Sequence, residues 1–78
     1  MMIKAYILIE AAIGKVAGVV AALGELPEVV SADPVAGPYD VIAVVQAEKA
    51  EYIGRMVMEK IHSIDGVNYT MTCVAVSG

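Results

Sequence analysis

The chain has no tryptophan and no phenylalanine, and among its 78 residues only one cysteine (Cys73), one histidine (His62) and five basic residues. Each shortage excludes something. A single cysteine forbids an internal disulfide, and a single histidine leaves no Cys/His cluster for a structural metal. The basic residues, Lys4, Lys15, Lys49, Arg55 and Lys60, are scattered through a chain of net charge −4 and pI near 4.6. Phosphate neutralisation needs them clustered, so no direct contact with nucleic acid is expected. No apolar run approaches the roughly 18 to 20 residues that cross a bilayer, so no membrane span is expected. With no signal peptide and a lone thiol, a cytoplasmic setting is the expectation.

What the chain does have is apolar surface: 59% of its residues are hydrophobic and its mean hydropathy is +0.73. Residues 1–78 make one domain, near the size at which a single core barely offsets conformational entropy. With disulfide and metal excluded, oligomerisation is the remaining source of burial.

The residue pattern gives the elements. In Ile3–Ile9, Ile3, Ala5, Ile7 and Ile9 share one face of a strand, and Lys4, Tyr6, Leu8 and Glu10 the other. From Lys15 the period becomes helical through Val16, Val19, Val20 and Leu23, and Pro27 ends the helix that Leu26 closes. Val29–Val35 and Val41–Ala47 read as strands. Between Glu48 and Ile64 the helical period returns in Ile53, Met56, Val57, Ile61 and Ile64, and Val67–Val76 reads as a last strand. The halves repeat: Leu23-Gly-Glu-Leu-Pro-Glu-Val29 matches Ile61-His-Ser-Ile-Asp-Gly-Val67 at an offset of 38. Two split β-α-β units give an α+β, ferredoxin-like βαββαβ domain. Right-handed crossovers put both helices on one face of a four-stranded antiparallel sheet.

One sheet face is then uncovered. The third strand is apolar on both sides, and in the last strand Val67, Tyr69, Met71, Cys73 and Ala75 lie on one side and Asn68, Thr70, Thr72, Val74 and Val76 on the other. An uncharged second face is expected to pack on a second copy, the dimeric α+β barrel arrangement.

A ferredoxin-like fold hosts many functions, so the sites decide. A copper-carrying domain needs paired cysteines after the first strand, where this chain has Ala11-Ala12-Ile13-Gly14. An RNA-recognition domain needs exposed aromatics and basic flanks, which are missing. His62 reads as a helix-end residue favoured by the dipole, Met56 and Met58 as core and interface filler, and Cys73 as a buried, inert thiol. No carboxylate pair, nucleophile–base pair or metal-ligand spacing appears, so no catalytic residue, cofactor or metal is assigned. A small oxygenase-like enzyme with paired sheets stays as an alternative.

What remains is the loop Val35-Ala36-Gly37-Pro38-Tyr39-Asp40, with Thr70 and Thr72 on the last strand. Gly37 is expected to supply a permissive φ and Asp40 a carboxylate. A well-made turn, with Asp40 bonding nearby amides, explains this composition as readily as a ligand site does. A free amino acid needs a carboxylate or carbonyls for its ammonium, and amides and hydroxyls for its carboxylate. Asp40, the Ala36–Gly37 backbone and the two threonines offer both.

Three motifs in this order, Leu26-Pro27-Glu28-Val29-Val30, Gly37-Pro38-Tyr39-Asp40, and Ile64-Asp65-Gly66-Val67 followed by Thr70-Met71-Thr72, resemble the effector-binding (RAM) domain of the Lrp/AsnC regulators. The resemblance runs from about Lys4 to Val76. It implies a sheet-to-sheet dimer that assembles into tetramers or octamers, with a small amino-acid effector between dimers. Ala36, Gly37, Tyr39, Asp40, Thr70 and Thr72 are then the ligand-binding residues. Family members usually carry a helix-turn-helix before this domain. This chain begins with the first strand, so a stand-alone module that acts by joining full-length regulators is the expectation. Two departures are the missing helix-turn-helix and Ala36, which stands where the family often has a threonine. An ACT-type amino-acid-binding domain shares the topology and is the main alternative.

Overall fold

The computed structural model describes residues 1–76. Its elements run β1 (Ile3–Ala11), α1 (Val16–Gly24), β2 (Val29–Pro34), β3 (Val41–Ala47), α2 (Ala50–Met56) continued by a π-helical turn (Val57–Ile61), and β4 (Val67–Val74). All neighbours in the sheet are antiparallel, in the order β2-β3-β1-β4. The βαββαβ arrangement with both helices on one face is therefore present.

The alternation in β1 works as read. Ala5, Ile7 and Ile9 are buried against Val41, Ala43 and Val45 of β3, and the helices close over them with Val19, Leu23, Ile53, Met56, Val57 and Ile61. Among the described residues no polar or charged residue is buried in this core. Tyr6, Leu8, Ile42, Val44, Tyr69, Met71 and Cys73 face the opposite way, as the register shows: Tyr6 opposes Val44 and Cys73, and Leu8 opposes Ile42 and Met71.

The repeated segments fold alike. Leu26 donates its amide to the Leu23 carbonyl (3.0 Å) and Val29 to Leu26 (3.1 Å); Ile64 donates to Ile61 (3.1 Å) and Val67 to Ile64 (3.2 Å). Both following strands then bulge at the same place. Val30 is unmatched between Val29↔Val45 and Ser31↔Val44, and Asn68 between Val67↔Ala11 and Tyr69↔Glu10.

Several expectations change. The second helix is not uniform: Val57–Ile61 widen to a π turn, closed by the His62 amide on the Val57 carbonyl at 2.9 Å. The bulge at Asn68 reverses the alternation, so Val67 packs on the core rather than sharing the face of Tyr69 and Met71. Cys73 is exposed, not buried, because it lies on the open face of an edge strand. Met56 is core, but Met58 is 72% exposed. Gly37 has no positive φ.

Candidate functional site

Asp40 is tied into the end of the sheet. Its amide donates to the Ile9 carbonyl (2.9 Å), its carbonyl accepts from Val35 (2.9 Å), and its Oδ2 accepts from the Ala11 amide (2.8 Å). The loop is thus closed on itself and pinned to the last residues of β1, where the β1–β4 register shifts. The carboxylate caps a strand end with one oxygen. Gly37 sits at the loop tip with no positive φ, and a Cβ there would meet nothing within 4 Å. Neither backbone strain nor crowding requires glycine at that position, and Ala36 beside it is exposed.

Tyr39 leans the other way. Its hydroxyl lies 3.7 Å from the Met71 sulfur, on the open face of the sheet. Thr70 and Thr72 oppose Ile9 and Ile7 of β1 and so belong to the helix-side face. Thr72 is exposed there, since β4 is an edge strand. Thr70 and the loop residues therefore lie at one end of the sheet, with Thr72 nearer its middle opposite Ile7, and the six expected residues do not share one cleft. Tyr39 and the threonines lie on opposite faces, and β1 separates β3, which Asp40 precedes, from β4.

A cleft that includes Thr70 of this set is lined by His62, Val67, Asn68, Tyr69 and Thr70 and has a volume of about 320 Å³. His62 Nε2 lies 2.7 Å from Thr70 Oγ1. His62 and Asn68 have no part in the expected set, because each is an ordinary polar residue taken alone. The signal that marks them is the internal repeat, which aligns them with Gly24 and Val30.

A larger cleft of about 410 Å³ lies toward the other end of the sheet, between Met2, Pro27, Glu28, Gln46, Glu48, Tyr52 and Met56. Glu28, on its wall, accepts from Lys60 Nζ at 2.8 Å through Oε2. That bond lowers the Glu28 pKa from the ordinary carboxylate value, against the opposing pull of partial burial. Among the described residues no group of three or more His, Cys, Asp or Glu is placed to hold a metal, and no helix is long and apolar enough to cross a membrane.

Comparison with known proteins adds the relationships. Residues 4–78 match the family described as Lrp/AsnC ligand binding domain. An uncharacterized HTH-type transcriptional regulator of Pyrococcus abyssi is 36% identical over 75 residues, which are 96% of this chain and 48% of that protein. The chain spans from 35% to 48% of the curated relatives it matches. A crystal structure from Thermus thermophilus superposes with a TM-score of 0.91 at 34% identity, covering 97% of this chain and 95% of the other. A Neisseria meningitidis transcriptional regulator solved as a complex with L-Met shares the fold, with a TM-score of 0.84 at 19% identity over 96% of this chain and 50% of its own. The loop, the repeated turns and the sheet order thus occur in a chain that belongs to the Lrp/AsnC family and corresponds to its ligand-binding domain.

Proposed function

We propose that this chain is a non-enzymatic regulatory module that binds a small amino acid through Ala36, Gly37, Tyr39, Asp40, Thr70 and Thr72, works as a homo-oligomer, and modulates transcription by joining full-length relatives. One observation carries the reading: the loop tip holds a glycine that neither φ nor packing demands, which leaves its backbone open to close approach by a ligand. The Neisseria relative with L-Met supports an amino acid as the ligand class, and the regulators among the relatives support a role in transcription and a cytoplasmic setting. Because the sheet divides Tyr39 from the threonines, a complete site draws the loop and the last strand from different copies. Dimerisation through the open face brings copies together, and its centre is Tyr6, Leu8, Ile42 and Val44.

A thermal-shift screen of the chain against the twenty amino acids tests the ligand class, since a ligand at 100 times its Kd adds roughly 2.7 kcal/mol. Gly37→Ala leaves the fold intact and weakens binding of whatever the screen finds. Asp40→Asn keeps an acceptor for the Ala11 amide and removes the charge, weakening an ammonium contact by about 1.5 to 3 kcal/mol. No stabilising amino acid, or binding untouched by both variants, defeats the reading. Val44→Asp, examined by sedimentation, lowers the oligomeric state if the open face is the dimer interface.

A further inference from the structure

The internal repeat acts as a control on what the fold itself requires. Turn and bulge are built in the first half with Gly24, Val30 and Ala32, none of which offers a hydrogen-bonding side chain. At the equivalent places the second half has His62, Asn68 and Thr70. The turn hydrogen bonds and the bulge recur in both halves, so they do not require the polar groups.

One further difference serves the same spot: the helix leading into His62 widens to a π turn, whereas α1 is regular up to Gly24. Such turns and β-bulges both re-aim side chains, and both are enriched at functional sites. Here they converge on the cleft lined by His62, Val67, Asn68, Tyr69 and Thr70. When His62 donates from Nε2 to Thr70 Oγ1, across the 2.7 Å between them, the threonine hydroxyl keeps its own proton for an outside acceptor, polarised by the bond it receives. The Asn68 amide adds further donors. Asp65, three residues from both His62 and Asn68, is held by Lys15 at 2.9 Å.

A donor-rich cleft of this size suits a small anion. We infer that His62, Asn68 and Thr70 form an anchor for the carboxylate of the domain's ligand. The inference rests on the amino-acid-binding reading above, adding two residues to that site and giving Thr70 a defined role.

The test is a two-dimensional NMR titration of the full chain with sodium acetate, a carboxylate without an ammonium, against sodium chloride at equal ionic strength. Saturable shifts at the Asn68 side-chain amide, the Thr70 amide and the His62 ring are expected with acetate only. The apparent Kd rises about tenfold in His62→Gln, and similarly in Thr70→Val, the effect of losing one charge-assisted hydrogen bond. Shifts no larger than those with chloride, or a Kd unchanged in both variants, overturn the anchor. The twenty-amino-acid screen separates the two failures. An amino acid that binds wild type and His62→Gln equally overturns the anchor alone. If no amino acid binds, the functional reading falls while the acetate titration still decides whether the anion site exists.

Discussion

In the first half of the chain a helix, a turn and a bulged strand run through Leu23, Leu26, Val29 and Val30; in the second the same hydrogen bonds run through Ile61, Ile64, Val67 and Asn68. The positions that stay alike are the apolar ones that anchor the turn to the core. Those that differ are solvent-facing or locally compensated. Glu28 occupies in the first turn the place that Gly66 occupies in the second. Only Gly66 has a positive φ, +97°, and only there is the space closed: a Cβ would lie 2.5 Å from Lys15 Cβ and 3.4 Å from Val19 Cγ2. The second turn is pressed against the start of α1, with the Ala12 amide 2.7 Å from the Gly66 carbonyl, while the first is held at arm's length by Lys60. One local pattern thus tolerates two tertiary environments.

The comparison breaks most directly at its anchors. Leu23 and Ile61 are both fully buried. Leu23→Ala and Ile61→Ala should each lower unfolding free energy by about 2 to 5 kcal/mol in urea denaturation. Equal losses fit two equivalent turns, and a large difference breaks the equivalence. Next comes the closed space: Gly66→Ala should cost about 1 to 3 kcal/mol, since it adds backbone strain and displaces Lys15, whereas Glu28→Ala at the equivalent place should cost well under 1 kcal/mol.

The first turn also carries a pH signature. The Lys60 bond lowers the folded-state pKa of Glu28, so the stability it contributes is present above the unfolded carboxylate pKa of about 4.3 and is lost as pH falls through the folded value. Both partners are partly solvated, which limits the contribution to about 0.2 to 1 kcal/mol. Glu28→Gln should flatten that part of the acid limb of a stability–pH profile. The smallest effect belongs to the Lys15–Asp65 pair, whose side chains are 50% and 86% exposed. Asp65→Asn should change stability by less than about 0.5 kcal/mol at physiological salt.

The sequence pattern carried the architecture because burial is periodic. Ala5, Ile7 and Ile9 alternate as a half-covered strand must, and the 38-residue repeat locates both helix-to-strand turns. It did not carry the π turn, since Ile53, Val57 and Ile61 satisfy a helical period whether or not one turn widens. Nor did it carry the bulges, because one extra residue near a strand end leaves most of the alternation intact while moving Val67 across the sheet. Nor does it carry the exposure of Cys73, because an apolar strand position is buried only if something covers it, and β4 is an edge. At the site, loop composition marked residues 36–40. It could not show that Asp40 spends one oxygen on Ala11, nor that Tyr39 and Thr70 part to opposite faces.

The sheet order has a consequence for how a ligand would be felt. Since β3 lies between β1 and β2, and β1 between β3 and β4, neither half possesses a sheet of its own. The halves are interleaved, and the stretch Val35–Asp40 is their covalent seam, sewn to the end of β1 by Asp40. A molecule gripping that seam restrains both halves at once. Its stabilisation is then shared by the whole cooperative unit instead of being confined to a surface loop, and hydrogen exchange in the most protected amides of β1 and β3 should slow along with those of the loop.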